Sequence, residues 1–307
     1  MDCLVPLFNM REMGQKNSVH RIFILILLMA ACASELPAQA RKGTLVACQP
    51  AKLVPGSAAL FQVRTPAGVN ELSGKWLGHE VKFSALKSRK GFYAIAGVPV
   101  ETAPGIYPLE VTGTGRRSFQ FQQKIRIAAA HYPRVAVTVA KQFTEPSPEQ
   151  LKQIAADKEV KKNVFSRTAA EQLWQNSFAP PVEAPVSGVF GTERVFNGKV
   201  QSRHLGLDYA APGGTPVHAI NRGTVILAQK LYFEGGFIVI DHGQGLLSLY
   251  LHLSDFKVKE GDDVTTGQVI AASGGSGRAT GPHLHLAVRW QGVYLDPAIL
   301  LRLQMPQ

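Results

Sequence analysis

Two short segments of this chain place metal-competent side chains at strand-like spacing. His283-Leu284-His285 follows Thr280-Gly281-Pro282, and His204-Leu205-Gly206-Leu207-Asp208 sets an imidazole four residues from a carboxylate. On a β-strand, residues two or four apart share a face, so each pair projects to one side while the leucines between and after them turn to the other. A helix would also bring His204 and Asp208 together, but Gly206 and the run Ala210-Ala211-Pro212-Gly213-Gly214 disfavour one. Neutral imidazoles and a carboxylate suit Zn²⁺, and three protein ligands leave a fourth position for water. Zinc lowers the pKa of such water to about 7 and polarises a carbonyl, which is the chemistry of amide hydrolysis. Tyr250-Leu251-His252-Leu253 repeats the pattern, with Tyr250 and His252 expected on one face and Leu249, Leu251 and Leu253 on the other.

Taken together, His204-x-x-x-Asp208, Tyr250-Leu251-His252-Leu253 and Gly281-Pro282-His283-Leu284-His285 resemble the signatures of the lysostaphin-type zinc endopeptidases, which cut peptide cross-bridges in bacterial peptidoglycan. The similarity runs through roughly residues 183 to 300 and includes Gly206-Leu207-Asp208-Tyr209-Ala210-Ala211-Pro212 and Gly261-Asp262-x-Val264-x-x-Gly267-Gln268. The resemblance implies one zinc per chain held by His204, Asp208 and His285, with His283 and His252 unligated beside the water and the scissile carbonyl. A base that titrates near neutral pH fits that division, and one member of the pair is expected to activate water while the other serves the oxyanion or the leaving amine. Same-face neighbours on a strand stand nearly 7 Å apart at a rise of roughly 3.3 Å per residue, so only one of His283 and His285 is expected to reach the metal. The competing class is a non-enzymatic peptidoglycan-binding protein or an activator of another wall hydrolase. The resemblance implies that such relatives have lost a metal or catalytic position, whereas all five residues are present here.

Other polar residues read as structural. His242 lies in a turn and is expected to make structural hydrogen bonds, His218 follows Thr215-Pro216-Val217, and His79 and His131 lie outside the matching stretch. Arg203 and Arg289 are read as solvated surface arginines in a basic chain. Ser273-Gly274-Gly275-Ser276-Gly277 has no P-loop ending and reads as a flexible loop at the rim of the groove.

The 307 residues carry a net charge of +11, with three Lys/Arg and three Asp/Glu in residues 1–40, so the charge belongs to the rest of the chain. A basic exported protein is attracted to anionic envelope polymers or acidic stem peptides, and no nucleic-acid recognition motif is present. Arg11, Lys16, His20 and Arg21 precede the apolar run Ile22 to Ala31, and Ala38-Gln39-Ala40 is a small-x-small cleavage site, so residues 1–40 read as a signal peptide with no transmembrane span left in the mature form. Met29-Ala30-Ala31-Cys32 offers an alternative lipoprotein-type site, less favoured because methionine stands three residues before Cys32. Export then leads to the periplasm, the cell envelope or the extracellular space. Cleavage after Ala40 leaves Cys48 without an intramolecular partner.

The elements that must position the site read as mainly β. Residues 41–130 show short strands separated by Pro55-Gly56, Ser73-Gly74 and Pro104-Gly105, consistent with an immunoglobulin-like β-sandwich with Trp76 in its core. Residues 131–182 read as a linker with a helical hairpin. Ser147-Pro148-Glu149-Gln150 is a capping box, Leu151, Ile154 and Ala155 continue an apolar stripe, and a second helix is expected from Ser166 towards Trp174. Pro180-Pro181 opens a domain over 183–307, expected as an antiparallel β architecture with the metal in an open groove.

Overall fold

The computed structural model describes residues 45–306 except Arg89, Arg117 and Lys199. The expected signal peptide and the Cys32 site lie outside the described residues. These described residues form one compact unit.

The N-terminal half is two four-stranded antiparallel sheets. One runs Leu45–Gln49, Ala58–Arg64, Gly91–Gly97, Ser84–Ala85 in spatial order, and the other His79–Lys82, Val69–Trp76, Gly105–Gly115, Phe119–Ile127. Period-two burial makes them. Leu72 and Trp76 face inward along one strand, and Leu109 and Val111 along the strand beside it. Trp76 is fully buried, edge-on to Phe61, and its indole N–H donates to Gly97 O at 2.8 Å.

In the C-terminal half, an antiparallel sheet runs Val186–Gly188, Leu207–Tyr209, Leu284–Trp290, Leu246–Leu253, Gly235–Asp241, Gly223–Leu231, Asp263–Val264, with Val293–Leu295 also pairing Leu284–Trp290. Every residue of Gly235–Asp241 is buried, so this strand is covered on both faces. One face joins the N-terminal sheets in a continuous core through Ile238, Ile240, Tyr250, Leu286, Trp290 and Leu295. The other face, Leu227, Phe237, Val239, Leu249 and Ala287, packs against Val164 of the helix Pro148–Phe165.

Residues 131–182 differ from the expected helical hairpin. The strand Arg134–Val137 pairs parallel to Glu193–Phe196, which is antiparallel to Val200–Arg203, so this region helps to build the groove wall. The first helix forms with its capping box, Ser147 Oγ accepting from Gln150 N and Gln150 Oε1 accepting from Ser147 N. Its inward face is not the expected stripe, because Leu151 and Ala155 are exposed while Asp157 and Val164 are buried. The sheet offers polar partners there: Tyr232 N donates to Asp157 Oδ2 at 2.6 Å, and Lys161 pairs with Glu234. The second helix is absent. Between Ser166 and Trp174 the backbone bonds to the turn after Gly235–Asp241 instead, with Ala169 N donating to Asp241 Oδ2, Gln244 N to Ala169 O, and Leu173 N to His242 O. No described helix is long and apolar enough to cross a membrane.

Candidate metal and catalytic site

Strand register brings the site together. Leu207–Tyr209 lies antiparallel to Leu284–Trp290 with Asp208 directly opposite His285, and directly opposed residues share a face. His204 does not share a strand with Asp208, as its spacing predicted. It follows the end of Val200–Arg203, and the chain turns at Leu205-Gly206 before the next strand begins. Gly206 is needed at this turn, since a Cβ there would stand 2.4 Å from His285 Nε2 and 2.5 Å from Leu286 O.

Three ligand-capable atoms converge. His204 Nε2 lies 3.0 Å from Asp208 Oδ1 and 3.0 Å from His285 Nδ1, and His285 Nδ1 lies 2.7 Å from Asp208 Oδ1. All three residues are buried, and these are the residues among those described that cluster with metal-holding geometry. Their outer partners are specific. His204 Nδ1 donates to Val189 O at 2.8 Å, which leaves Nε2 a bare lone pair aimed at the cluster. Asp208 Oδ2 accepts from the Arg194 guanidinium. Burial opposes ionisation of Asp208, but hydrogen bonds and charge from His204 and His285 outweigh it and hold the carboxyl far below the usual carboxylate range. Burial pushes the His285 imidazole down despite Asp208 beside it.

His252 and His283 form a second pair next to the first. Their ring centroids are 4.7 Å apart, and His252 lies 6.1 Å from His285 by the same measure. His283 Nε2 stands 3.8 Å from Asp208 Oδ1. A carbonyl only accepts, so the bonds from His252 Nδ1 to Ser276 O and from His283 Nδ1 to Gly281 O, both 2.8 Å, put the proton on Nδ1 and leave each Nε2 free as a base. Burial first, and then the neighbouring His285 and His283, push the His252 pKa down to about 3, which keeps its imidazole neutral at ordinary pH.

The expected alternation fails at His252 for a backbone reason. Leu249 and Leu251 oppose Ala287 and His285 and face the groove, while Tyr250 is buried on the opposite side with its hydroxyl accepting from Ile220 N at 2.9 Å. His252 would follow Tyr250 away from the site, but its φ of 64° turns the chain over and returns the imidazole to the groove beside Leu251. The serine loop likewise is tied down. Ser276 Oγ donates to Leu253 O and accepts from Gly236 N, and Ser273 is fully buried.

His242 lies away from the site with both ring nitrogens bonded, to Arg222 O and Ser248 Oγ, each at 2.8 Å. His218 Nδ1 bonds Pro181 O, and His79 packs on the Trp290 ring. Arg203 binds Gly191 O and Glu193, and Arg289 lies 4.0 Å above the Phe165 ring, so neither is a bare surface cation. Arg194 and Val189 were not singled out in the sequence, and Ser276 was read only as part of a loop. Two of them act through backbone carbonyls, which any residue supplies, and Arg194 reaches Asp208 only through tertiary packing.

Two cavities meet at the site. One, of about 230 Å³, lies between the sheet face and the helix Pro148–Phe165 and is lined by Lys161, Phe165, Phe237, Leu251, His252 and His285. The other is an open groove bordered by Val135, Val186, Val189, Asp208, His252 and His283. Buried nitrogen and oxygen donors thus converge at the floor of a groove on an antiparallel sheet, an arrangement that could hold a metal ion beside two free imidazoles.

Residues 202–297 match the model of Peptidase family M23, so the chain carries an M23 peptidase domain. The peptidoglycan DD-endopeptidase ShyA of Vibrio cholerae is 39% identical over 123 residues, covering 39% of this chain and 26% of that protein. The chain thus spans about a quarter of the length of the curated relatives it matches. A crystal structure from Pseudomonas aeruginosa, described as an M23 peptidase, superposes with a TM-score of 0.62 at 29% identity, over 81% of this chain and 95% of that one. The catalytic domain of lysostaphin from Staphylococcus simulans is 32% identical, covering 39% of this chain and 93% of its own, with a TM-score of 0.36.

Proposed function

We propose that this protein is a zinc-dependent endopeptidase that hydrolyses peptide cross-links of bacterial peptidoglycan during wall remodelling. The observation that carries the reading is the convergence of His204 Nε2, Asp208 Oδ1 and His285 Nδ1 within 4.8 Å of one another, with two free imidazole Nε2 atoms alongside. The donor set fits zinc: two nitrogens and one oxygen, all buried, with the His204 ring orientation fixed from behind by Val189 O and the carboxylate of Asp208 by Arg194. Bound there, zinc would acidify water and polarise the scissile carbonyl.

The residues of the chain supply the rest. His252 and His283 each present an unprotonated Nε2, so either can take a proton from attacking water and return it to the leaving amine. Their partner carbonyls at Ser276 and Gly281 hold the tautomer in which that is possible. The open groove with its Val135, Val186 and Val189 wall gives an extended peptide an apolar side to lie against. The name of the Vibrio cholerae relative supports a stem-peptide cross-link as substrate.

A non-enzymatic wall-binding role is disfavoured because every metal and base position is filled. The reading places the mature chain outside the cytoplasm, cleaved after residue 40, with its positive charge drawn to anionic envelope polymers. It divides the chain at about residues 130 and 182, with the N-terminal sheets as an immunoglobulin-like sandwich. Purified protein is expected to carry about one zinc per chain. His204→Ala is expected to lose both metal and cleavage of purified sacculi; a variant that keeps chelator-sensitive cleavage refutes the ligand set.

A further inference from the structure

Arg278 stands where the two cavities join and lines both. Its guanidinium lies 4.6 Å from the Phe196 ring centroid and 4.7 Å from that of Phe233. Its backbone N–H donates to Phe233 O at 2.8 Å, which holds the residue against one of those rings. Aromatic faces steady a guanidinium without consuming its N–H donors. No ion pair or side-chain hydrogen bond engages Arg278 among the described residues, and none of its nitrogens is both sealed from solvent and unpartnered.

The cations around it are already committed. Arg194 holds Asp208, Arg203 holds Glu193 and Gly191 O, and Lys161 holds Glu234. Glu234 is the one carboxylate lining the roofed cavity, against Lys161, Arg194, Arg203 and Arg278. Its Oε1 belongs to Lys161, and its Oε2 has no partner. The cavity thus has an excess of positive charge; Arg278 feels the charge of Glu234 but makes no ion pair or hydrogen bond with it, so its side-chain N–H donors are free, with His252 lining the same two spaces.

We infer that Arg278 is a specificity-determining residue that binds a free carboxylate of the substrate peptide next to the bond presented to His252 and His283. The assignment rests on the peptidase reading above. The planar fork of arginine matches a carboxylate bidentately, and a lysine in its place offers only a point charge. The carboxylate comes either from the C-terminus of a stem peptide or from an acidic residue within it, and the test separates the two.

Zinc-loaded full-length protein is given cross-linked stem peptides in three forms: both carboxylates free, the terminal one amidated, and the internal one amidated. In the wild type, amidating the recognised group is expected to raise KM about tenfold with kcat nearly constant, as loss of a charge-assisted hydrogen bond implies. In Arg278→Gln the ratio of amide KM to acid KM falls to about one, and Arg278→Lys lies between. If neither amidation shifts KM in the wild type, or if Arg278→Gln keeps the wild-type ratio, the assignment is overturned. The amidation arms need no variant, so a poorly folded Arg278→Gln does not remove the test. Calorimetry with the same peptides separates the failures. A protein that cuts none of them but binds acid over amide refutes the peptidase reading alone, whereas equal binding of acid and amide refutes the anchor.

Discussion

His242 shows how a buried imidazole writes itself into the pH dependence of the fold. It is fully enclosed, and burial, only partly offset by the bond to Arg222 O, pushes its pKa down to about 4 from an ordinary 6.5. The unfolded chain therefore binds a proton that the folded chain refuses between those values. Stability is retained above pH 6.5 and falls as the pH drops towards 4, by an amount on the order of 3 kcal/mol from this residue. Urea melts at pH 7 and pH 4.5 are expected to show that loss, and His242→Gln to flatten it; an unchanged slope in the variant places the acid sensitivity elsewhere. That His204, Asp208, His252, His283 and His285 gather in one place was legible because three leucine-flanked segments each carry a histidine, one of them beside a carboxylate four residues on. The way His252 reaches the groove was not legible. A left-handed φ at a non-glycine residue costs of order 1–3 kcal/mol and is visible only once the surrounding bonds, here Ser276 O and Glu234 O, impose it.

At the scale of elements, the helix Pro148–Phe165 is the part whose existence the capping box announced and whose docking the hydrophobic pattern misdirected. Apolar periodicity pointed to Leu151, yet the helix meets the sheet through Val164 near its end and through a buried aspartate and a lysine before it. Polar partners on a facing turn leave no trace in local sequence. The same limit explains the missing second helix, whose residues find their hydrogen bonds on the turn Asp241–Gly245. Asp157 is the clearest test of the docking, since it accepts from both Tyr232 N and Gln153 Nε2. Asp157→Ala leaves the partly buried Tyr232 amide without its partner and is expected to cost about 1–3 kcal/mol. Hydrogen exchange over residues 148–165 is expected to speed up in that variant while the strand Gly235–Asp241 stays protected. Uniform acceleration of both would mean that helix and sheet open together.

Across the described residues, the N-terminal sheets and the C-terminal sheet share one core. A Cβ on Gly97, in the first sheet, would stand 2.6 Å from Leu295 and 3.1 Å from Trp290 of the other half. Asp296 N donates to Gly56 O at 2.7 Å, and Gln291 Nε2 to Glu80 O at 2.7 Å. Thermal melting is therefore expected to give a single transition. Gly97→Val is expected to lower it by overpacking of about 1–3 kcal/mol while keeping it single, whereas two resolved transitions would show that the halves unfold apart. This seam also limits how such a protein can be recombined. Grafting only the family-matching stretch 202–297 onto another scaffold would strip Trp290 and Leu295 of their cover, so in this chain that stretch is expected to need the N-terminal sheets, or substitute side chains at the seam, to stay well packed.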